Sequence, residues 1–145
     1  MRTITQKHRF GCGIACVASV LNISYLSALD LFNKRQAYAK SRGFCCGDIV
    51  EALRKSGKLY TCKYINKKMR KKIYSPGVIV FIARSKQYPN GHFLSRVEKG
   101  WMDPWINFSK VNLMSMSEAK AGIRKRLPGR PIYAILPEEV IGSAR

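Results

Sequence analysis

A chain of 145 residues is long enough for one core and short for two, so a single domain over residues 1–145 is expected. With 46% apolar residues it is no disordered tail, and no run approaches the ~18 apolar residues of a membrane span. Lys and Arg number 27 against 8 acids, a formal charge of +19 that favours acidic partners (nucleic acid, an anionic membrane surface or an acidic protein) and says little about fold.

The N-terminal stretch MRTITQKHRF has no apolar signal region, so the default compartment is the cytoplasm, with export by a route without a signal peptide left open. The first helix is predicted from about Cys12 to Leu21, apolar nearly all round and ended by Asn22. Ser24 is expected to cap a second helix over YLSALDLFNKRQAYA (25–39), with Leu26, Leu29 and Phe32 inward. SRGFCCG breaks that pattern. Asp48 is then expected to cap a short amphipathic helix, IVEALRKS, closed by Gly57. Strands follow at 59–65 and, β-branched and central, at 77–83. YPNG (88–91) reads as a turn, and HFLSRV and WMDPW as the arms of a hairpin. Ser117 is expected to cap a helix over EAKAGIRKR, before a last strand at 131–136. Helices first and sheet later make an α+β layout, with N-terminal helices packed on a mostly antiparallel sheet.

Two histidines and three aspartates leave few ways to build a Cys-His-acid site. Cys12 is the candidate nucleophile, because thiols at a helix N-terminus beside an imidazolium ionise readily. Gly11 and Gly13 would let a substrate backbone approach it. GCGIAC alone equally fits a buried core cysteine. Gln6 adds a side-chain amide in the preceding loop, a neutral donor suited to an oxyanion, with the Cys12 backbone N–H as its companion. His92 starts a strand, and Asp103 lies in the next arm. A four-residue loop, Arg96 to Lys99, sets the two face to face, so that the carboxylate orients the imidazole. A tight turn at Lys99-Gly100 instead sets Asp103 opposite Arg96, about 13 Å along the strand from His92.

Taken in order, Q-x5-C-G-x-A-C, GHFL and DPW resemble the bacteriocin-leader-processing (double-glycine) cysteine peptidases over about residues 4–108. The resemblance implies a papain-like fold and cleavage of a peptide or protein substrate. It implies Gln6 as oxyanion donor, Cys12 as nucleophile, His92 as general base and acid, and Asp103 as orienting acid. No cofactor and no metal follow from it.

Other readings stand beside this one. Deamidation of a side chain would use the same groups. A basic binding module on the same fold, for nucleic acid or an acidic protein, would rest on two dense runs, NKKMRKK (66–72) and RKRLPGR (124–130). A cysteine hydrolase whose charge recruits an acidic target combines both. His8, Cys12 and Cys16, completed by Cys45 or Cys46, form a rival zinc set, although no C-x2-C pair is present. The odd count of five cysteines argues for reduced thiols. Oligomeric state leaves no mark in the sequence.

Overall fold

The computed structural model describes residues 1–33, 35–108 and 115–138. Four helices come first: α1 (Cys12–Leu21), α2 (Tyr25–Leu29), α3 (Arg35–Ser41) and α4 (Cys46–Lys55). Six strands follow: β1 (Tyr60–Tyr64), β2 (Ile79–Ile82), β3 (His92–Val97), β4 (Gly100–Asp103), β5 (Gly122–Arg124) and β6 (Pro131–Pro137). They form one sheet in the order β1-β6-β2-β3-β4-β5, every pair antiparallel. Strands β2 to β5 meander, and β6 returns to fill the gap between β1 and β2.

Pleating divides the core in two. Phe93, Ile79, Met102 and Ile135 face α1 and α4. Val80, Ile82, Leu94, Trp101 and Ala134 face the other way, where no α-helix lies among the described residues. That second face is roofed by loops and two short 3-10 turns, Lys67–Met69 and Lys72–Tyr74, with Met69, Ile73 and Tyr88 buried against it and Leu127 packed at its edge. Helix α1 is apolar almost all round because it sits under α2 and α4 and over β3. It ends at Asn22, whose left-handed φ of 57° returns its N–H to the last turn.

Three sequence expectations are corrected. The stretch 25–39 is not one helix: α2 stops at Leu29 and α3 starts at Arg35, residue 34 lying outside the described residues. The break tucks Phe32 against the Phe44 ring, 4.6 Å between centroids, while Leu26 points to solvent. Helix α4 begins earlier than expected. Cys45 is its N-cap and Asp48 sits in the first turn, where its carboxylate accepts the Cys45 N–H at 2.8 Å. The expected helix over 118–126 is replaced by a 3-10 turn, Met116–Glu118, and strand β5. A mid-helix glycine costs about 1 kcal/mol, and Gly122 is needed bare here, since a Cβ would run into Ile106. Pairing with β4 outweighs the local helical composition.

Candidate active site

Cys12 is the first residue of α1. Gly11, the N-cap, offers no side chain to the first turn, so the N–H groups there remain open to a ligand. The flanking glycines do not serve substrate approach, as their bareness suggests, but packing. A Cβ on Gly11 would overlap the Tyr25 hydroxyl, and one on Gly13 would lie 3.0 Å from Ile49 Cδ1. The Tyr25 hydroxyl in turn shares a hydrogen bond with His8 Nδ1 at 2.9 Å, tying α2 to the loop that leads into Cys12. Gly11→Ala is therefore expected to destabilise the fold by about 1–3 kcal/mol through overpacking. A thermal melt unchanged from wild type would refute this account of Gly11.

His92 opens β3 directly after Gly91, whose φ of 73° and close approach to Phe81 and the Ile82 carbonyl exclude a side chain. The hairpin register matches neither of the turns weighed above. Val97 pairs with Gly100 and Ser95 with Met102, so the turn is the two residues Glu98-Lys99. Continued, that register puts Asp103 opposite Leu94, two positions or roughly 6.6 Å along the strand from His92. Both side chains stay on one face, and the diagonal is within reach of an imidazole and a carboxylate. His92 Nε2–H donates to Asp103 Oδ1 at 2.7 Å.

Asp103 is fully buried and fully bonded. Oδ1 also accepts the Trp105 backbone N–H at 2.9 Å, and Oδ2 accepts Arg124 Nε–H at 2.7 Å. Arg124 additionally donates from Nη2 to the Tyr88 hydroxyl and the Ile106 carbonyl, each at 3.3 Å. The Tyr88 ring stacks on His92, 4.7 Å between centroids and 7° from parallel. Sequence reasoning missed both residues. Arg124 was submerged in a basic run and Tyr88 in a turn motif, and only the β4–β5 pairing brings the guanidinium to the carboxylate.

These contacts set the protonation states. Burial pulls the His92 imidazole down. The hydrogen bond with Asp103 and the nearby Cys12 and Asp103 groups outweigh it and lift the pKa to about 9. With Nε2 committed to Asp103, Nδ1 is the nitrogen left for the sulfur. Burial likewise pushes the Asp103 carboxyl up, but His92, Arg124 and the Trp105 amide hold it below the usual carboxylate range. Because the folded His92 value lies above the unfolded value of 6.5, its stabilising contribution is complete below pH 6.5. Between pH 6.5 and about 9 the folded state holds a proton that the unfolded state has lost. Stability through this group should therefore fall by about 1.4 kcal/mol per pH unit across that window. Urea titrations at intervals of pH check it, and a rise with pH there would contradict the pairing.

Gln6 is buried and lines the same pocket as Cys12 and His92. Its Nε2 donates to the carbonyls of His8 at 3.0 Å and Arg9 at 3.1 Å, while Oε1 is buried without a partner among the described residues. Cys16, one turn below Cys12, is fully buried, and burial pushes its thiol well up. Of the rival zinc set, His8 is engaged with Tyr25 and Cys46 lies beside Cys62. Among the described residues no three histidine, cysteine or acidic side chains are grouped to hold a metal ion. Nor, among them, is any helix long and apolar enough to cross a membrane.

A cavity of about 260 Å³ opens at Cys12 and His92. Phe10, Phe44, Phe81, Trp105 and Phe108 give it apolar walls, and among the described residues Arg9 and Arg42 are its charged side chains besides the site itself. Arg42 lies over the Tyr38 ring and Arg9 over Trp105, at 4.4 and 6.0 Å from the ring centroids. A second hollow, sharing Arg42, Phe44, Phe81 and Phe93, continues it past the start of α4.

No family model matches the chain, and no curated protein matches it. Its fold is similar to a crystal structure of the peptidase domain of Streptococcus ComA, a bi-functional ABC transporter involved in a quorum-sensing pathway. The two share 17% identity at a TM-score of 0.53, over 93% of this chain and 97% of that one. Helices on a six-stranded antiparallel sheet thus form an α+β fold shared with that peptidase domain.

Proposed function

We propose that this chain is a papain-like cysteine hydrolase that cleaves peptide bonds, related in mechanism to the double-glycine leader peptidases its motifs resemble. The observation that carries the reading is one juxtaposition. A cysteine at the start of a helix lines one pocket with a buried imidazole, and a buried carboxylate holds one nitrogen of that ring. A module that only binds has little use for a buried His92–Asp103 pair backed by a partly buried Arg124, which costs desolvation of the first two groups.

In this mechanism the Cys12 thiolate attacks the substrate carbonyl carbon, and the carbonyl π electrons move onto oxygen. The Cys12 backbone N–H and the Gln6 amide receive that oxyanion, Gln6 giving it one of the hydrogens now held by the His8 and Arg9 carbonyls. Imidazolium His92 passes its proton to the departing amine as the C–N bond breaks, leaving a thioester. Neutral His92 then takes a proton from water, whose oxygen displaces the sulfur and frees the acid. Asp103 orients the ring throughout and balances its charge. Arg9 and Arg42 at a cleft with mostly aromatic walls suit peptides that combine acidic and apolar residues.

Alkylation tests the reading. Iodoacetamide should modify Cys12 well ahead of exposed Cys45, and spare Cys16, whose buried thiol stays protonated. Hydrolysis of a peptide library, followed by mass spectrometry, should cease in step with Cys12 modification. Turnover that survives complete alkylation of Cys12 would reject the proposal.

A further inference from the structure

Apart from Arg124, the two basic runs lie outside the cleft, and both are anchored on one face of the sheet. In 66–72, Met69 and, just beyond, Ile73 turn inward to the second face of the sheet. Lys67, Lys68, Arg70, Lys71 and Lys72 are left pointing to solvent. In 124–130, Arg124 turns inward to Asp103, Leu127 joins the same apolar cluster as Met69, and Gly129 packs on Ile82 of that face. Lys125, Arg126 and Arg130 remain exposed. Segments far apart in sequence are thus anchored on one core face by their apolar residues, with eight cations outermost. Neither run contains an acid, and none of the eight is in an ion pair among the described residues.

We infer that this roof, on the sheet face opposite α1, is a binding surface for nucleic acid, gripped through its phosphates. Cations spaced over an irregular surface suit a phosphate backbone, which is read without sequence preference. The ring of Tyr74, 54% exposed at the end of the first run, is a platform on which a base can stack. It is steadied by the Arg96 guanidinium, 5.3 Å from its centroid. A bilayer would call instead for apolar side chains turned outward among the cations, whereas Met69, Ile73 and Leu127 are turned in. None of the eight cations lines the cleft, so the inference stands whether or not Cys12 is a nucleophile.

The test compares two variants of equal net charge. One carries Lys68→Glu, Arg70→Glu, Lys125→Glu and Arg126→Glu on the roof. The other carries Lys40→Glu, Arg54→Glu, Lys55→Glu and Lys58→Glu on the helical side. Binding of a fluorescein-labelled single-stranded RNA of about twenty nucleotides is followed by anisotropy across a salt series. The roof variant should bind at least about tenfold more weakly, with a salt slope shallower by two to three, and the helical-side variant should stay within about threefold of wild type. Equal weakening in both would overturn the inference, because net charge alone would explain it. So would tighter binding of wild type to phosphatidylserine vesicles than to RNA in the same salt. If the roof variant fails to fold, lysine acetylation of the wild type replaces it. Bound RNA should protect Lys67, Lys68, Lys71, Lys72 and Lys125 but not Lys40, Lys55 or Lys58, and uniform protection would refute the site.

Discussion

Cys12→Ala is expected to lower kcat/KM for any cleaved peptide by at least about ten-thousandfold, because no other thiol can take its place. Cys16 is the nearest in sequence, one turn further into the helix, sealed from solvent and held protonated by burial. The C12A protein should keep its fold, since Cys12 is only partly buried and alanine is a good helix former. It should also still bind the peptide, with Kd within about threefold of the wild-type value, because the cleft walls are untouched. A second signature distinguishes loss of chemistry from loss of structure. The sulfur is one of the groups that lift His92 to about 9, so C12A should have a lower imidazole pKa and a flatter fall of stability above pH 6.5. NMR titration of the His92 ring measures it. Residual hydrolysis within a hundredfold of wild type, on the order of what one lost contact would cost, would place the nucleophile elsewhere.

Asp103→Asn should cost both stability and rate, for a reason visible in its hydrogen bonds. One carboxylate oxygen accepts from His92 and the Trp105 amide, and the other accepts from Arg124. An asparagine must turn its NH2 toward one set of these donors. Facing Arg124, it leaves a partly buried guanidinium opposite another donor. Facing His92, it demands an acceptor at Nε2 and moves the ring proton to Nδ1, the nitrogen the sulfur needs. Either way a charge-assisted bond is lost and a buried donor stranded, a loss of about 3 kcal/mol. The wrong tautomer should lower kcat by about a thousandfold or more. Thermal melts and single-turnover kinetics read the two effects separately. A D103N protein with wild-type kcat would show that the carboxylate is structural only. An Arg124 substitution offers a graded comparison, since it loosens Asp103 without altering the His92 contact directly.

Some of this was legible because it is local. Helix α1 runs over the residues expected, since its apolar run and the terminal Asn22 act within one segment. Strands β1, β2 and β6 and the hairpin of β3 and β4 follow from β-branched runs and turn residues. What failed was also local reasoning, applied where distant contacts win. The stretch 118–126 has a helical composition, yet an open β4 edge and a bare Gly122 against Ile106 make β5 of it. The register of β3 on β4 depended on a turn one residue away from either alternative. A shift of that size is invisible in composition but changes which residue lies opposite Asp103.

By itself, then, the amino-acid order determined an α+β chain with its helices first. It also determined a short roster of groups able to do acyl chemistry, because residue type and short-range periodicity are properties of neighbours along the chain. Only the tertiary structure decided that Asp103 meets His92 on a diagonal, that Arg124 completes the buried charges, and that two basic runs share one roof. These depend on strand order and on which apolar residues anchor which loop. Those are set by burial against partners tens of residues away, and no window of sequence contains both sides of such a contact.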